Sequence, residues 1–435
     1  VLKSHKYSPV VVIGGGAAGM IAAWRAGALG AAVTLLEKNS RLGIKLLISG
    51  GGKCNITHGG EIESVCGQFR RNESIFLKHS MHRFTNHDIL SRLRQFGVET
   101  YERENGRVFP TSGKAGDVVH ALRRMMEKEG VEIQLSHPVE EILCDSVGIS
   151  GIKTAAGFHQ ARQVVLATGG ASYPKTGTTG EGFRWLKDLG HTIVPLSPAL
   201  APILLDPKPP AAWQGVSMRD SILKAKISGK PVASARGDLL FTHEGISGPT
   251  ALEISREVFG ASKGGTIADV FVDAAPDKDE GELENTVLSE ITANGARSVE
   301  TLVELFVPQR LAPFIVISIG VDPGKKCHQL KKEERASVVR ALKSWHIGRV
   351  KEIPIERGEV TAGGVALHEV DSKTMRSRIL KGLYICGEAL DVAGPIGGYN
   401  LQAAFSTGYV AGETAAEDWR MNASSGESTG SSPVT

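Results

Sequence analysis

The chain has 435 residues, 41% of them hydrophobic and 22% charged, with 50 basic residues against 47 acidic ones. That length suits two or three domains with buried cores. The near-neutral balance of +3 singles out neither nucleic acid nor an acidic partner, and no stretch approaches the roughly 20 uninterrupted apolar residues of a membrane helix. Five cysteines stand singly at positions 54, 66, 144, 327 and 386 with no CxxC among them, so neither a zinc site nor a thioredoxin-like pair is suggested. Their odd number and irregular spacing fit a reducing cytoplasm. Cys144 and Cys386 lie in apolar runs and are expected in the core.

Val10, Val11, Val12 and Ile13 read as a strand buried on both faces. Gly14, Gly16 and Gly19 then fit the spacing G-x-G-x-x-G, with Ala17 and Ala18 between them, and a small-residue helical run follows to Leu29. The first glycine allows a tight turn, the second lets a pyrophosphate approach the backbone, and the third lets helix and strand pack closely. The helix start offers unpaired amides and a positive dipole end to phosphates. A second apolar strand from Ala32 ends in Glu37, an acid placed to accept hydrogen bonds from a ribose hydroxyl. A glycine-rich turn alone is a weak signal; strand, helix and acid together point to a dinucleotide. Lys3, His5 and Lys6 ahead of an apolar segment could also read as a signal peptide. Cleavage there would discard the glycine turn, so that reading is set aside.

Beyond Glu37 come Lys38, Arg41 and Lys45, then Ser49-Gly50-Gly51-Gly52-Lys53-Cys54-Asn55. Three consecutive glycines argue against a stable helix and for a loop lying against a phosphate or ring. Helical spacing covers residues 73–96 and 116–129, and strands are expected at 131–135, 139–143 and 163–167. The last of these stops at Thr168-Gly169-Gly170, an ending common in flavin-binding Rossmann proteins. Prolines at 195, 198, 202, 207, 209 and 210 mark a stiff, extended connection. Short strands at 221–227, 231–233, 238–241 and 266–272 suggest a small antiparallel sheet or barrel. Residues 280–345 read as helical, and 350–355 as a strand that could close the small sheet. The α/β domain resumes near Val360, with a buried strand at 383–386, then Gly387-Glu388, Gly397-Gly398 and a helix over 401–419.

Together these segments resemble the bacterial aminoacetone-oxidase-like, or bile-acid-enone-reductase-like, NAD(P)/FAD-dependent oxidoreductases. The resemblance is carried by Gly14–Gly19 with Glu37, Ser-Gly-Gly-Gly-Lys-Cys-Asn, residues 241–249 (Phe-Thr-His-Glu-Gly-Ile-Ser-Gly-Pro), residues 361–365 and residues 387–402. It implies an α/β fold: a split Rossmann-type, glutathione-reductase-like FAD-binding domain with an inserted β-module and a helical module. The expected division is 1–195 and 359–420 for the FAD domain, 196–274 and 348–358 for the β-module, 275–347 for the helical insert and 421–435 for a disordered tail. The family motif usually has an arginine where Lys53 stands, and a lysine cannot make the same bidentate contact.

The resemblance implies FAD, held without a covalent bond. Glu37 would hold the adenosine ribose, the Gly14–Gly19 amides the pyrophosphate, and the Val139 backbone the adenine. Lys38, Arg41, Lys45, Gly52, Lys53, Cys54, Asn55, Thr168, Gly169 and Gly170 would line its path. Glu388, after Gly387, would meet the ribitol, and the helix entered through Gly398, Asn400 and Leu401 would direct its dipole at the ring. His243 is the candidate proton donor, against the alternative of a histidine bonded within its turn. Cys54 is weighed as a flavin adduct former and assigned to packing. Reduced NAD(P)H could donate transiently, since no second G-x-G-x-x-G is present. The expected substrate is a small amine or enone, in the cytoplasm, without nucleic acid or membrane. A flavin-bound interaction or electron-transfer protein and a tRNA-modifying flavoprotein are the alternatives.

Overall fold

The computed structural model describes residues 6–262 and 266–424, and the chain divides into two units, 1–196 with 360–435 and 197–359. The first unit is built on a five-stranded parallel sheet in the order Leu383–Ile385, Gln163–Leu166, Val10–Ile13, Val33–Glu37 and Glu132–Leu135. Val165 lies opposite Val12, and Val12 opposite Leu35, so the β-branched run sits at the sheet's centre. Val10, Val11 and Val12 are wholly buried, as a strand covered on both faces requires. Consequently Gly14, Glu37, Thr168 and Gly387 all follow strand carboxyl ends, along one edge of the sheet.

Two helices meet above that edge at backbone distance. On the final helix, Tyr399–Ser424, a Cβ at Gly408 or Gly412 would run into the carbonyl oxygens of Ala18 or Ala22 on the helix Ala17–Ala28. Behind the contact, Glu413 takes hydrogen bonds from Arg83 and Arg25, and Arg25 also lies over the Tyr409 ring at 4.6 Å. Burial favours the neutral Glu413 carboxyl, but those hydrogen bonds and charges outweigh it and hold its pKa below the ordinary carboxylate range. A four-stranded sheet (Lys6–Tyr7, Gly157–Gln160, Ile149–Thr154, Val139–Cys144) and a three-stranded one (Thr57–His58, Arg107–Pro110, Thr100–Glu102) complete the unit. The chain leaves along Ile193–Ala199 and returns along Val360–Val365, and these strands pair.

The second unit is a closed antiparallel barrel. Its strands run in the order Ile203–Asp206, Gly245–Ser247, Lys230–Phe241, Ser217–Ile227, Asp269–Asp273 and Trp345–Glu352. Leu205, Leu223, Leu239, Phe241, Val270 and Val272 are fully buried, and Trp213 joins Phe241 and Trp345 with ring centroids 5.2 and 4.8 Å away. Helices Glu280–Asn294, Val299–Val303, Ala312–Ser318 and Lys332–Lys343 lie between the last two strands in sequence. Asp273, 2% exposed, ties barrel to helix through Lys224 at 3.0 Å and Lys343 at 2.8 Å.

Several expectations need correction. Helical spacing over 73–96 resolves into Arg71–Arg83 and Asn86–Gln95, because Thr85 and Asp88 form a capping box that starts a new helix. The separate strands at 231–233 and 238–241 are one strand, Lys230–Phe241, and the closing strand begins at Trp345 rather than at 350. Cys144 is exposed while Cys386 is buried; Cys144 ends its strand just past a shift in pairing register after Leu143, which takes it off the face that buries Ile142. The last helix continues through Ser424, so residues 421–424 of the expected tail are helical, and the remainder of that tail lies outside the described residues.

Candidate functional site

The strand Val10–Ile13 ends at Gly14, whose φ of 104° and position 2.5 Å from the Ala167 carbonyl oxygen (measured from a notional Cβ) exclude a side chain. Gly19 is equally restricted, because a Cβ there would enter the Gly14 carbonyl. Gly16 is different. Nothing lies within 4 Å of a Cβ built on it, its φ of −82° suits any residue, and it caps the helix without a side-chain hydrogen bond. The helix's first turn carries no acid and no side-chain cap, so the positive end of its dipole, with the amides of Ala17 and Ala18, is left uncompensated beside the open space at Gly16. That is the arrangement a pyrophosphate needs.

Glu37 is 7% exposed and anchors the neighbouring turn. Its Oε2 accepts from the Gly15 amide at 2.7 Å, and its Oε1 from the Asn39 amide at 2.8 Å and the Asn39 side chain at 2.7 Å. Among the described residues no cation lies within ion-pair range of it. Three bonds leave lone-pair capacity on the two oxygens, so the carboxylate can also take a ribose hydroxyl. Val139 is brought close by its approach, for the Ser136 and His137 amides donate to the carbonyls of Asn39 and Glu37, both at 2.9 Å. Lys38 is committed elsewhere, to Glu181 at 2.9 Å and Thr179 at 3.0 Å, and Arg41 is exposed.

The segment Ile44–Gly52 is helical only in its first part. Its backbone turns extended at Ser49 (ψ 148°) and left-handed at Gly50 and Gly51, with φ also positive at Gly52 and Cys54. The glycine run therefore forms the loop its composition requires. Gly51 has open space where a Cβ would stand, Lys53 is exposed, and the buried Asn55 Oδ1 has no partner. Cys54 is fully buried, and burial pushes its thiol to about 12, against a smaller opposing hydrogen bond to Ser49. At neutral pH it is a thiol, not a nucleophilic thiolate, which supports packing over adduct formation.

At the opposite side of the sheet the chain crowds together. Thr168 Oγ1 is buried without a partner, Gly169 has φ of 76°, and a Cβ on Gly170 would come within 2.6 Å of a Glu388 carboxylate oxygen. Glu388 Oε1 accepts from the Thr361 amide at 2.8 Å and Ser172 Oγ at 3.2 Å; Oε2 accepts from Lys45 Nζ at 2.7 Å. Gly387 is pressed against the first turn of Ala17–Ala28, with a notional Cβ 2.8 Å from Ala18, and donates its amide to Thr407 of the last helix at 3.0 Å. Asn400 closes the preceding turn, accepting from the Gly394 amide at 2.8 Å and donating to its carbonyl at 2.9 Å. Gly398 packs on the Thr57 backbone, and Leu401 lies in the first turn of the helix.

The structure brings Gly14–Gly19, Glu37, Lys45, Thr168–Gly170, Gly387 and Glu388 to one sheet edge, while Gly398 packs on the separate three-stranded sheet. His243 belongs to the second unit. Its side chain is 71% exposed, and its Nε2 lies 3.6 Å from Glu244. Glu244 accepts from Arg357 at 2.5 Å, and that hydrogen bond chiefly holds its carboxyl below the usual range. Sequence reading gave no site role to Ser172, to Thr361 (although it opens the 361–365 stretch that carries the resemblance) or to His58, which stacks on Tyr399 with ring centroids 4.7 Å apart.

An FAD fits this donor set. An uncapped helix start and an open Gly16 suit its diphosphate, an acid with spare acceptor capacity suits a ribose, and the orphaned Asn55 and Thr168 oxygens offer further polar contacts. The family model described as "HI0933-like protein Rossmann domain" matches residues 8–414. The ribosomal RNA dihydrouridine synthase of Haemophilus influenzae is 30% identical over 93% of this chain and 97% of its own length. The 3-dehydro-bile acid delta(4,6)-reductase of Clostridium scindens is 29% identical over 93% and 98%. Among solved structures, a quinol-fumarate reductase with menaquinol molecules shares the fold at a TM-score of 0.53 and 16% identity, covering 99% of this chain and 73% of that one. No helix among the described residues is long and apolar enough to cross a membrane.

Proposed function

We propose, for a chain that belongs to the HI0933-like Rossmann family and is an FAD-dependent oxidoreductase, that its reaction adds two hydrogens across a carbon–carbon double bond conjugated to a carbonyl. One observation carries this reading. The two relatives described above have names from unrelated substrate classes, yet a delta(4,6)-reductase and a dihydrouridine synthase both denote saturation of a ring double bond. The turn at Gly16 and the Glu37 carboxylate would hold FAD, which when bound would supply the hydride chemistry for the carbon β to the carbonyl, with a reduced nicotinamide as the proposed source of electrons. The protein's part is to hold the dinucleotide along the sheet edge and to supply the proton that the α-carbon takes up. We assign that proton to His243, an exposed imidazole next to the carboxylate of Glu244.

A small cyclic enone is the reading that the near-neutral charge favours, because 50 basic against 47 acidic residues provide little general attraction for phosphates. A uracil ring within ribosomal RNA is the second reading, favoured by the name of the Haemophilus relative. Anaerobic reoxidation separates them. The reduced protein is mixed with a cyclic enone panel or with unmodified ribosomal RNA, and the product is examined by mass spectrometry for two added hydrogens. Enone reduction supports the first reading and RNA reduction the second; reoxidation by neither sinks both. His243→Ala should slow reoxidation while leaving flavin content unchanged.

A further inference from the structure

Glu388 is enclosed by hydrogen bonds that tie four separate stretches of the first unit together. Lys45 comes from the helix before the glycine loop, Ser172 from the loop after Gly170, Thr361 from the returning strand, and Glu388 from the turn after the strand Leu383–Ile385. Lys45 Nζ donates to Glu388 at 2.7 Å and to Ser172 Oγ at 2.8 Å. Thr361 donates its amide to Glu388 and accepts, at its hydroxyl, from the Ala171 amide at 2.8 Å and the Ser172 amide at 3.1 Å. The ion pair is largely shielded, with Lys45 and Glu388 side chains 26% and 19% exposed. Gly387, next in the chain, touches the first turn of the helix whose amides face the diphosphate site. A bare carboxylate here would stand against electrons added to the ring.

We infer that Lys45 is a positioning residue that cancels the charge of Glu388, so that the site binds FAD and accepts electrons without an opposing negative charge. Its ammonium is spent on the acid instead of on a phosphate. Three donors on Nζ, two of them engaged here, hold Glu388 in one orientation. The carboxylate therefore acts as a hydrogen-bond acceptor for the cofactor with its charge compensated. The inference rests on FAD lying along this edge and not on the identity of the substrate.

The test is a charge cycle read by two quantities other than turnover, the FAD dissociation constant and the flavin midpoint potential. Lys45→Met should weaken FAD binding about tenfold and shift the reduced-to-oxidised ratio about tenfold toward oxidised flavin, which is about 30 mV for a two-electron couple. Glu388→Gln leaves the ammonium uncompensated and should move the potential the opposite way. The double variant Lys45→Met/Glu388→Gln should return close to the wild-type potential, and Lys45→Arg should stay near it throughout. Unchanged potentials in flavin-loaded single variants, or a double variant lower than Lys45→Met, would overturn the inference. If Lys45→Met fails to fold, Glu388→Gln and the double variant still decide it, since the first must lie above wild type and the second beside it. Unchanged FAD affinity in all of them would instead remove FAD from this edge.

Discussion

Two carboxylates stand at opposite sides of the same sheet edge, delivered by strands three positions apart, a strand spacing of about 14 Å. Glu37 is satisfied by the Gly15 and Asn39 amides and the Asn39 side chain, with no cation among the described residues in range. Glu388 is satisfied by a lysine, a serine and one amide. The difference teaches what each end tolerates. Ribose hydroxyls are neutral donors, and a carboxylate that keeps its charge accepts from them more strongly than a neutral oxygen does. If Glu388 lies toward the flavin ring, as proposed above, a net charge there would act on the redox equilibrium, and Lys45 would cancel it. One acid is built as a charged acceptor, the other as a compensated one.

The comparison can be broken first at the glycines. Gly16→Ala meets no atom within 4 Å, so the apoprotein should melt like wild type while FAD binding is lost, because the added methyl occupies the diphosphate's space. Gly19→Ala should lose FAD and also about 1–3 kcal/mol of stability or more, because its methyl meets the Gly14 carbonyl. Flavin retention by Gly16→Ala would mean that the open space after the strand does not serve the cofactor.

A smaller effect is expected from Glu37→Ala. Losing a charged acceptor costs on the order of 1–3 kcal/mol, or roughly tenfold to a hundredfold in FAD affinity, readable by fluorescence titration of the apoprotein. Glu413 sharpens the contrast, being a third acid with a purely structural task. Its pKa is lower folded than its ordinary 4.5, so its contribution is present above that value and is lost as pH falls through the folded value. Glu413→Gln should therefore cost about 2 kcal/mol at pH 7, a difference that shrinks in urea melts carried out below pH 4. The smallest effect is a null one. Iodoacetamide at neutral pH should label exposed Cys144 and leave Cys54 untouched until the protein unfolds.

Local chemistry made the Glu37 side of the edge readable. Gly14, Gly16, Gly19 and Glu37 lie within one strand–helix–strand unit, and each residue type answers a constraint imposed by near neighbours. The Glu388 side was readable only as separate fragments. Lys45 meets Ser172 and Glu388 across 127 and 343 residues of chain, and no periodicity announces a contact at that separation. Gly237 misled for another reason. It falls in the break expected between strands 231–233 and 238–241 but lies with φ of 149° inside one long strand, where the pairing register shifts nearby. At Phe84 the helical spacing continued while the Thr85–Asp88 capping box restarted the backbone, so hydrophobic pattern alone ran past the break.

Titration of the apoprotein with ADP, which carries only the adenosine and phosphate half of the cofactor, tests the division of labour between the two acids most directly. Wild type and Glu388→Ala should bind ADP alike, and Glu37→Ala should bind it at least about tenfold more weakly. Equal weakening by both substitutions would contradict the assignment of the two carboxylates to opposite ends of FAD.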